Sequence, residues 1–272
     1  MKRIIIKPKI IIKKNLNLKN LNLINKKNMS LKEIKKIKIL YDNKEKILSE
    51  LFFITEKITR KSINEILIYK TNVFFDYLGY EWSNDYLEVN SDVGSYLGAK
   101  MKSGSIVVKG SCENYSGAEM SGGSIFIKKN AGKFVGASIN GKRTGMNGGT
   151  IFISGNTDEF LSYQMRRGLV FVEGMAGDNC CNNLIAGTVI IKKGIGRNFG
   201  IGMKRGTIIL LSNIKLESNF VEGGECSTSF ISILNKFILE KFDKKMIGRN
   251  SSISRFIGDK FIKGKGELLK IS

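Results

Sequence analysis

The chain has 272 residues, 42% of them hydrophobic, which is enough to bury a large core and predicts one domain with elaborated ends. No run of about 18 apolar residues occurs, so a membrane-spanning helix is not expected. The net charge of +21 is spread along a chain rich in Lys, Asn and Ile, which predicts a solvated basic surface and no nucleic-acid site. Such a surface also suits acidic partner subunits or an acidic small molecule.

Residues 1–84 are predicted to form an N-terminal cap. In the opening MKRIIIKPKIIIKKN, lysines interrupt the apolar triplets, which indicates a strand and not a signal peptide. We therefore expect a cytoplasmic protein. A polar loop is predicted to follow the strand up to residue 29, and residues 47–54 fit a helix or a strand equally well.

Local signals in the middle of this cap predict a helix, a strand and a turn. Ser30 and Glu33 have the spacing of a capping box, which would open a helix over residues 31–36. Residues 38–41 indicate a strand, and Asp42–Asn43 are typical of a turn.

Residues 85–211 form a repeat that can be counted. A glycine followed by a short apolar run recurs every 19 residues, with one interval of 26. These anchor glycines are Gly104, Gly123, Gly149, Gly168, Gly187 and Gly206. A degenerate copy begins at Asp85, and residues 66–69, 19 residues earlier, are expected to supply the first rung. A fixed period in this range predicts a solenoid.

The columns of the repeat indicate which solenoid forms. Two and four residues after each anchor stand Ile, Val or Leu, as in Ile106 and Val108, and such period-two apolar residues predict strands. A further column, completed by Leu184, would stack inside and consists of Met101, Met120, Met146, Met165 and Met203. We predict an all-β fold, a single-stranded right-handed parallel β-helix of about 19-residue coils with α+β capping ends. Residues 212–272 would form the C-terminal cap and tail.

One column of the repeat is expected to face outward. Its side chains lie three residues after each anchor and alternate with the inward columns on both sides. They are Val107, Phe126, Phe152, Phe171, Ile190 and Ile209. Either a partner subunit or the chain's own terminal segments would cover so long an apolar stripe.

Six basic residues are candidate contacts for an acidic carrier or a partner. Two pairs directly precede anchor glycines and would line one edge of the rod, and two residues lie in the loop inserted into the longer interval. They are Arg166, Arg167, Lys204, Arg205, Lys142 and Arg143. Such side chains can hold a carboxylate through paired hydrogen bonds. Solvated corner residues are the alternative interpretation.

The residues that usually carry catalysis or hold metal are sparse. The chain has no His, and the spacing of Cys112, Cys180, Cys181 and Cys226 does not fit a zinc site. We therefore predict no catalytic and no metal site, and we interpret the cysteines as small packing residues.

The repeat and both ends of the chain carry a resemblance to a known family. The pattern M-x-x-G-x-I-x-V recurs as MRRG at 165–168, MKRGTI at 203–208 and GMNGGTI at 145–151. It resembles the C-type subunit of formylmethanofuran dehydrogenase, and more so the related C-type subunit of bacterial formyltransferase/hydrolase complexes. The lead-in LKEIKKIKILYDNKEKILSELFFI and the tail RFIGDKFIKGKGELL are similar to the ends of that family.

The resemblance implies a non-catalytic scaffold subunit of an enzyme complex in one-carbon metabolism. In that family an amidohydrolase-like subunit with a bound metal releases formate. A formyltransferase subunit exchanges the formyl group between methanopterin-type and methanofuran-type carriers. Those two subunits would be the partners and would hold the carriers, while this chain would bind no cofactor, nucleic acid or membrane.

Two alternatives remain open. The chain could be the C-type subunit of a molybdenum or tungsten formylmethanofuran dehydrogenase, which reduces CO2. It could also resemble the glycine-repeat domain of glutamate synthase, which shares the repeat. In either of the two enzyme complexes, the basic edge could meet a carrier with a polyglutamate tail.

Overall fold

The computed structural model describes residues 1–26, 29–83, 85–224, 228–247 and 252–271. These residues form mostly β-strands with a few helices, and thirteen of the strands build one long mixed sheet. Among the helices in these ranges, none has the length and apolar character that crossing a bilayer would require.

The large sheet begins at the N-terminus. Strand β1 (Lys2–Pro8) pairs antiparallel with β5 (Phe52–Ile58) and parallel with β6 (Glu65–Ile68), so the predicted N-terminal strand is confirmed. A separate four-stranded sheet lies beside it, in the order β4 (Lys44–Ile47), β3 (Lys38–Tyr41), β2 (Leu16–Asn17) and β7 (Phe75–Asp76).

The local signals of the cap are confirmed. Helix α2 (Leu31–Lys35) starts at Ser30, whose hydroxyl accepts a hydrogen bond from the Glu33 backbone N–H in a complete capping box. Strand β3 occupies the predicted positions, and both residues of the following turn have positive φ. Residues 47–54, which fitted a helix or a strand equally well, contain both, because the helix α3 (Leu48–Leu51) is followed directly by β5.

The predicted polar loop before residue 29 is wrong. This stretch also contains β2, a 3₁₀ turn (Lys19–Asn22) and the helix α1 (Leu23–Lys26). Leu16, Leu18 and Leu21 are all buried. The leucines that lie between the asparagines and lysines of this segment therefore bury enough apolar area to order it.

The repeat builds the centre of the large sheet. From β6 onward each strand pairs in parallel with the next, in the order β8 (Tyr86–Val89), β9 (Ser105–Val108), β10 (Ser124–Ile127), β11 (Asn147–Ile153), β12 (Arg167–Val172), β14 (Thr188–Ile191), β16 (Thr207–Leu210) and β19 (Gly266–Ile271). The first rung is confirmed, with Ile66 opposite Leu87. Two short strands, β13 (Met175–Ala176) and β15 (Gly194–Ile195), pair separately.

The predicted columns stand in register. Ile125 lies opposite Ile151, which lies opposite Val170, which lies opposite Val189. These side chains and every member of the methionine column, Leu184 included, are fully buried. The interior of the repeat is therefore packed by stacked apolar ladders whose spacing is set by the hydrogen bonds between strands.

The C-terminal segment closes the other end of the sheet. Strands β17 (Val221–Glu222) and β18 (Ile253–Gly258) precede β19 in an antiparallel arrangement. Between them the helix α4 (Thr228–Phe242), which was not predicted from the sequence, packs on the outer face of the sheet.

Helix α4 covers most of the column of side chains that was predicted to face outward. Phe152, Phe171, Ile190 and Ile209 are fully buried within this chain, in a cluster with Ile231, Leu234 and Ile238 of α4. For these four positions a cover by a partner subunit is therefore wrong, and a terminal segment of the chain itself provides the cover. Val107 and Phe126 are partly exposed, although Phe126 also contacts the helix, because its ring stacks on that of Phe242 with centroids 6.3 Å apart.

A column of stacked aromatic side chains runs through the repeat. Its rings stack with centroids 4.6 to 5.0 Å apart and nearly parallel planes. They belong to Tyr77, Tyr96, Tyr115, Phe134 and Phe160, all of which have a positive φ. The same column continues with Asn179 and Asn198, which share this backbone conformation.

Asn already occupies this column at positions 179 and 198 with the same positive φ. Substituting Asn for a ring therefore removes the ring stacking while it adds little backbone strain. We expect Tyr115→Asn to lower the free energy of unfolding by about 1–3 kcal/mol, since the ring stacks on Tyr96 and Phe134. Tyr115→Ala should cost about 1 kcal/mol more, because Ala tolerates positive φ less well than Asn. Urea unfolding of both variants measures this, and two variants as stable as the parent would contradict a stabilising stack.

Candidate interaction site at a basic edge

Four of the predicted basic residues lie at the edge of the large sheet where the repeat strands begin. Arg166 immediately precedes β12, and Arg167 is its first residue. Lys204 and Arg205 stand at the matching positions before β16, two repeats further along the chain. All four side chains are exposed. The sheet register therefore brings together the residues that the sequence pairs suggested.

These residues line a groove with a volume of about 850 Å³. Lys263 and Lys265, from the loop between β18 and β19, line the same groove and raise its cations to six. Sequence reasoning missed these two lysines because they lie outside the repeat. The alternation of lysine and glycine in FIKGKGE was the available signal. Ile185, Ala186 and Ile262 add apolar surface.

The wall of the groove is held by backbone hydrogen bonds. Lys265 N–H donates to the Lys204 carbonyl at 2.8 Å, which joins the C-terminal loop to the repeat. The buried Asp259 carboxylate accepts from the N–H groups of Gly202 and Phe261, both at 2.9 Å. A side chain at Gly264 would meet the Met203 carbonyl at 2.3 Å. This wall is therefore fixed before any ligand arrives.

The cations of the groove lack the acidic partners that cations on the opposite edge of the sheet have. No acidic residue is among its described lining residues, and none of its six cations makes an ion pair within the described ranges. On the opposite edge, Lys109 pairs with Glu88 at 2.6 Å and Lys192 with Glu173 at 3.7 Å. Arginines with free guanidinium groups can bind carboxylates or phosphates bidentately.

The inserted loop does not join this groove. Lys142 and Arg143 are exposed in a turn closed by a hydrogen bond from Lys142 N–H to the Ile139 carbonyl. Neither lines the groove. The structure thus separates the six predicted contact residues into four at the groove and two on a loop elsewhere.

Three of the four cysteines pack in the core. Cys112, Cys180 and Cys181 are buried, and burial raises the pKa of the Cys112 thiol to about 12 and that of Cys180 well above its ordinary value. The sulfur atoms of Cys180 and Cys181 are 3.5 Å apart. Cys226 lies outside the described residues. Across the described ranges, no group of three or more Cys, Asp or Glu side chains could hold a metal ion.

Parallel strands in register, each accompanied by an anchor glycine with positive φ, define a glycine-repeat β-protein. The chain belongs to the GXGXG motif family, whose model matches residues 32–246. None of the curated proteins compared with the sequence matches it.

A solved structure matches almost the whole chain. It is a chain of the crystal structure of the formyltransferase/hydrolase complex (FhcABCD) from Methylorubrum extorquens in complex with methylofuran. The two chains are 26% identical, superpose with a TM-score of 0.84, and are each covered to 98%. The resemblance to a subunit of such a complex, stated from the sequence, is confirmed.

Proposed function

We propose that this protein is a scaffold subunit of a formyltransferase/hydrolase complex in one-carbon metabolism. The observation that carries the proposal is the full-length match, because 98% of this chain corresponds to 98% of one chain of such a complex. The match from end to end includes both caps, so the likeness is not limited to the glycine repeat.

The architecture supports a mechanical role. We propose that the parallel strands form a single-stranded right-handed β-helix over residues 85–211, closed by caps at 1–84 and 212–272. Its interior is filled by fully buried apolar ladders such as Ile151 and Met146. A rod packed in this way resists bending and can hold partner subunits at a fixed distance.

We place the chemistry in the partner subunits. In this proposal an amidohydrolase-like subunit holds the metal and a formyltransferase subunit binds the methanopterin-type carrier, with the methanofuran-type carrier passing between them in the cytoplasm. The basic edge at Arg166, Arg167, Lys204 and Arg205, and separately Lys142 with Arg143, would contact acidic groups of a carrier or a partner.

Purification of the tagged chain from its native cells tests this function. We expect the amidohydrolase-like and formyltransferase subunits to co-purify in fixed stoichiometry, and the isolated chain to show no formyl transfer or formate release. Mass spectrometry identifies the partners. A molybdenum or tungsten pterin subunit among them would support the dehydrogenase alternative, and an FMN-binding synthase would support the glutamate-synthase alternative. Turnover by the isolated chain would contradict the scaffold role.

A further inference from the structure

We propose that the basic groove binds an extended acidic segment of a partner protein, in which acidic residues recur at every third position with apolar residues between them. The inference rests on the proposed function in one respect, since a scaffold subunit meets such a segment on another subunit of its complex. The inference goes beyond the proposed function because it assigns the groove a ligand whose negative charges have a defined spacing.

The spacing follows from the register of the strands. Arg167 and Arg205 each directly precede an anchor glycine, so they stand at equivalent positions two repeats apart, with the repeat that contains β14 between them. Neighbouring strands are about 4.8 Å apart, so the two guanidinium-bearing positions are separated by about 10 Å along the rod. A polyproline II segment rises about 3.1 Å per residue and repeats every third residue, which places same-side carboxylates about 9 Å apart.

The surface between the two groups of cations is apolar, and it favours apolar residues between the acidic residues of the ligand. The intervening repeat presents Ile185 and Ala186 where its neighbours present cations, and Ile262, next to Lys263 in the chain, lines the same groove with 48% of its surface exposed. A ligand made only of carboxylates would leave these apolar groups in water. A peptide with two apolar residues between successive acidic residues covers both kinds of surface.

The groove fits other anionic polymers less well. Single-stranded nucleic acids bind where aromatic side chains stack on bases, and no aromatic side chain is among the described residues that line the groove. The wall fixed by Asp259 and Lys265 is preorganised, so little ordering entropy is lost in the protein when an extended chain docks.

Fluorescence anisotropy with the full-length chain tests the inference. The probe is a labelled peptide of repeated Glu-Pro-Val units, and the reference peptide has the same composition with its glutamates contiguous. The groove variant carries Arg167→Ala and Arg205→Ala. The matched control carries Lys129→Ala and Lys193→Ala, which remove the same charge from exposed positions on the opposite edge.

We expect the spaced peptide to bind more tightly than the contiguous one. The groove variant should weaken its binding by about 100-fold, since each lost charge-assisted contact corresponds to about tenfold, while the control variant keeps the parent affinity. A thermal unfolding midpoint equal to that of the parent shows that each variant is folded. Equal losses in both variants would overturn the inference, as would equal affinity for both peptides or tighter binding of a single-stranded oligonucleotide.

Failure of this inference and failure of the proposed function give different results. If the partner subunits co-purify from native cells but the spaced peptide does not bind, the scaffold role stands and the groove ligand is wrong. If the peptide binds and no partner subunits co-purify, the groove ligand stands and the scaffold role is wrong.

Discussion

Replacing Gly149 by alanine is expected to lower the free energy of unfolding by about 2–5 kcal/mol. Gly149 is an anchor glycine with φ of +86°, and an added Cβ would lie 2.7 Å from the Gly123 carbonyl oxygen and 2.7 Å from the Met120 methyl group. That carbonyl accepts the hydrogen bond from Thr150 N–H that joins two neighbouring repeats. Relief of the clash must therefore disturb the ladder itself.

Gly141 in the inserted loop provides a matched control. Its φ is +83°, close to that of Gly149, but an added Cβ would meet no atom within 4 Å. Gly141→Ala should therefore cost only the backbone strain, about 1–2 kcal/mol. Urea denaturation midpoints of both variants, analysed with the parent slope, measure the difference. Equal costs at the two positions would show that close approach between neighbouring repeats does not constrain the anchor glycines.

The repeat could be predicted because one physical spacing controls both sequence and structure. Hydrogen bonds between neighbouring strands fix the distance between repeats, so equivalent side chains such as Ile125 and Ile151 must share an environment. The aromatic column at Tyr96 and Tyr115 follows the same interval and could have been found by the same count. It is less conspicuous than the apolar and glycine columns because asparagine replaces the rings in its later coils.

Helix α4 could not be predicted by periodicity, because it is apolar on two faces. Ile231, Leu234 and Ile238 are buried against the sheet, while Phe230 and Ile233 on the same helix are 44% and 70% exposed. Because apolar residues occur on both the buried and the exposed side of the helix, its sequence lacks the 3.6-residue hydrophobic period of an amphipathic helix.

The basic groove could be predicted only in part. Arg167 and Arg205 share a column of the repeat, and the period alone places them on one edge. Lys263 and Lys265 reach the same groove because β19 pairs with β16 across an intervening segment that holds α4 and β18. That pairing is a tertiary contact between the repeat and a non-repeating tail, and no local pattern encodes it.

Replacing Ile238 by alanine is expected to lower the free energy of unfolding by about 2–5 kcal/mol, the usual cost of a large-to-small change in a core. Ile238 is fully buried where α4 packs on the outward column of the sheet. The hydrophobic effect that holds α4 in place is concentrated in few side chains, so the loss of one weakens the docking of the whole helix.

Ile233→Ala on the same helix is the matched control, since the side chain is 70% exposed and the change in helix propensity is identical. We expect a change within about 0.5 kcal/mol of the parent. Hydrogen exchange distinguishes local release of α4 from global unfolding, because release would deprotect α4 amides while those of β12 and β14 stay protected. If both variants were equally stable, α4 would not be the cover of Phe171 and Ile190, and that half of the outer face would again be open to a partner subunit.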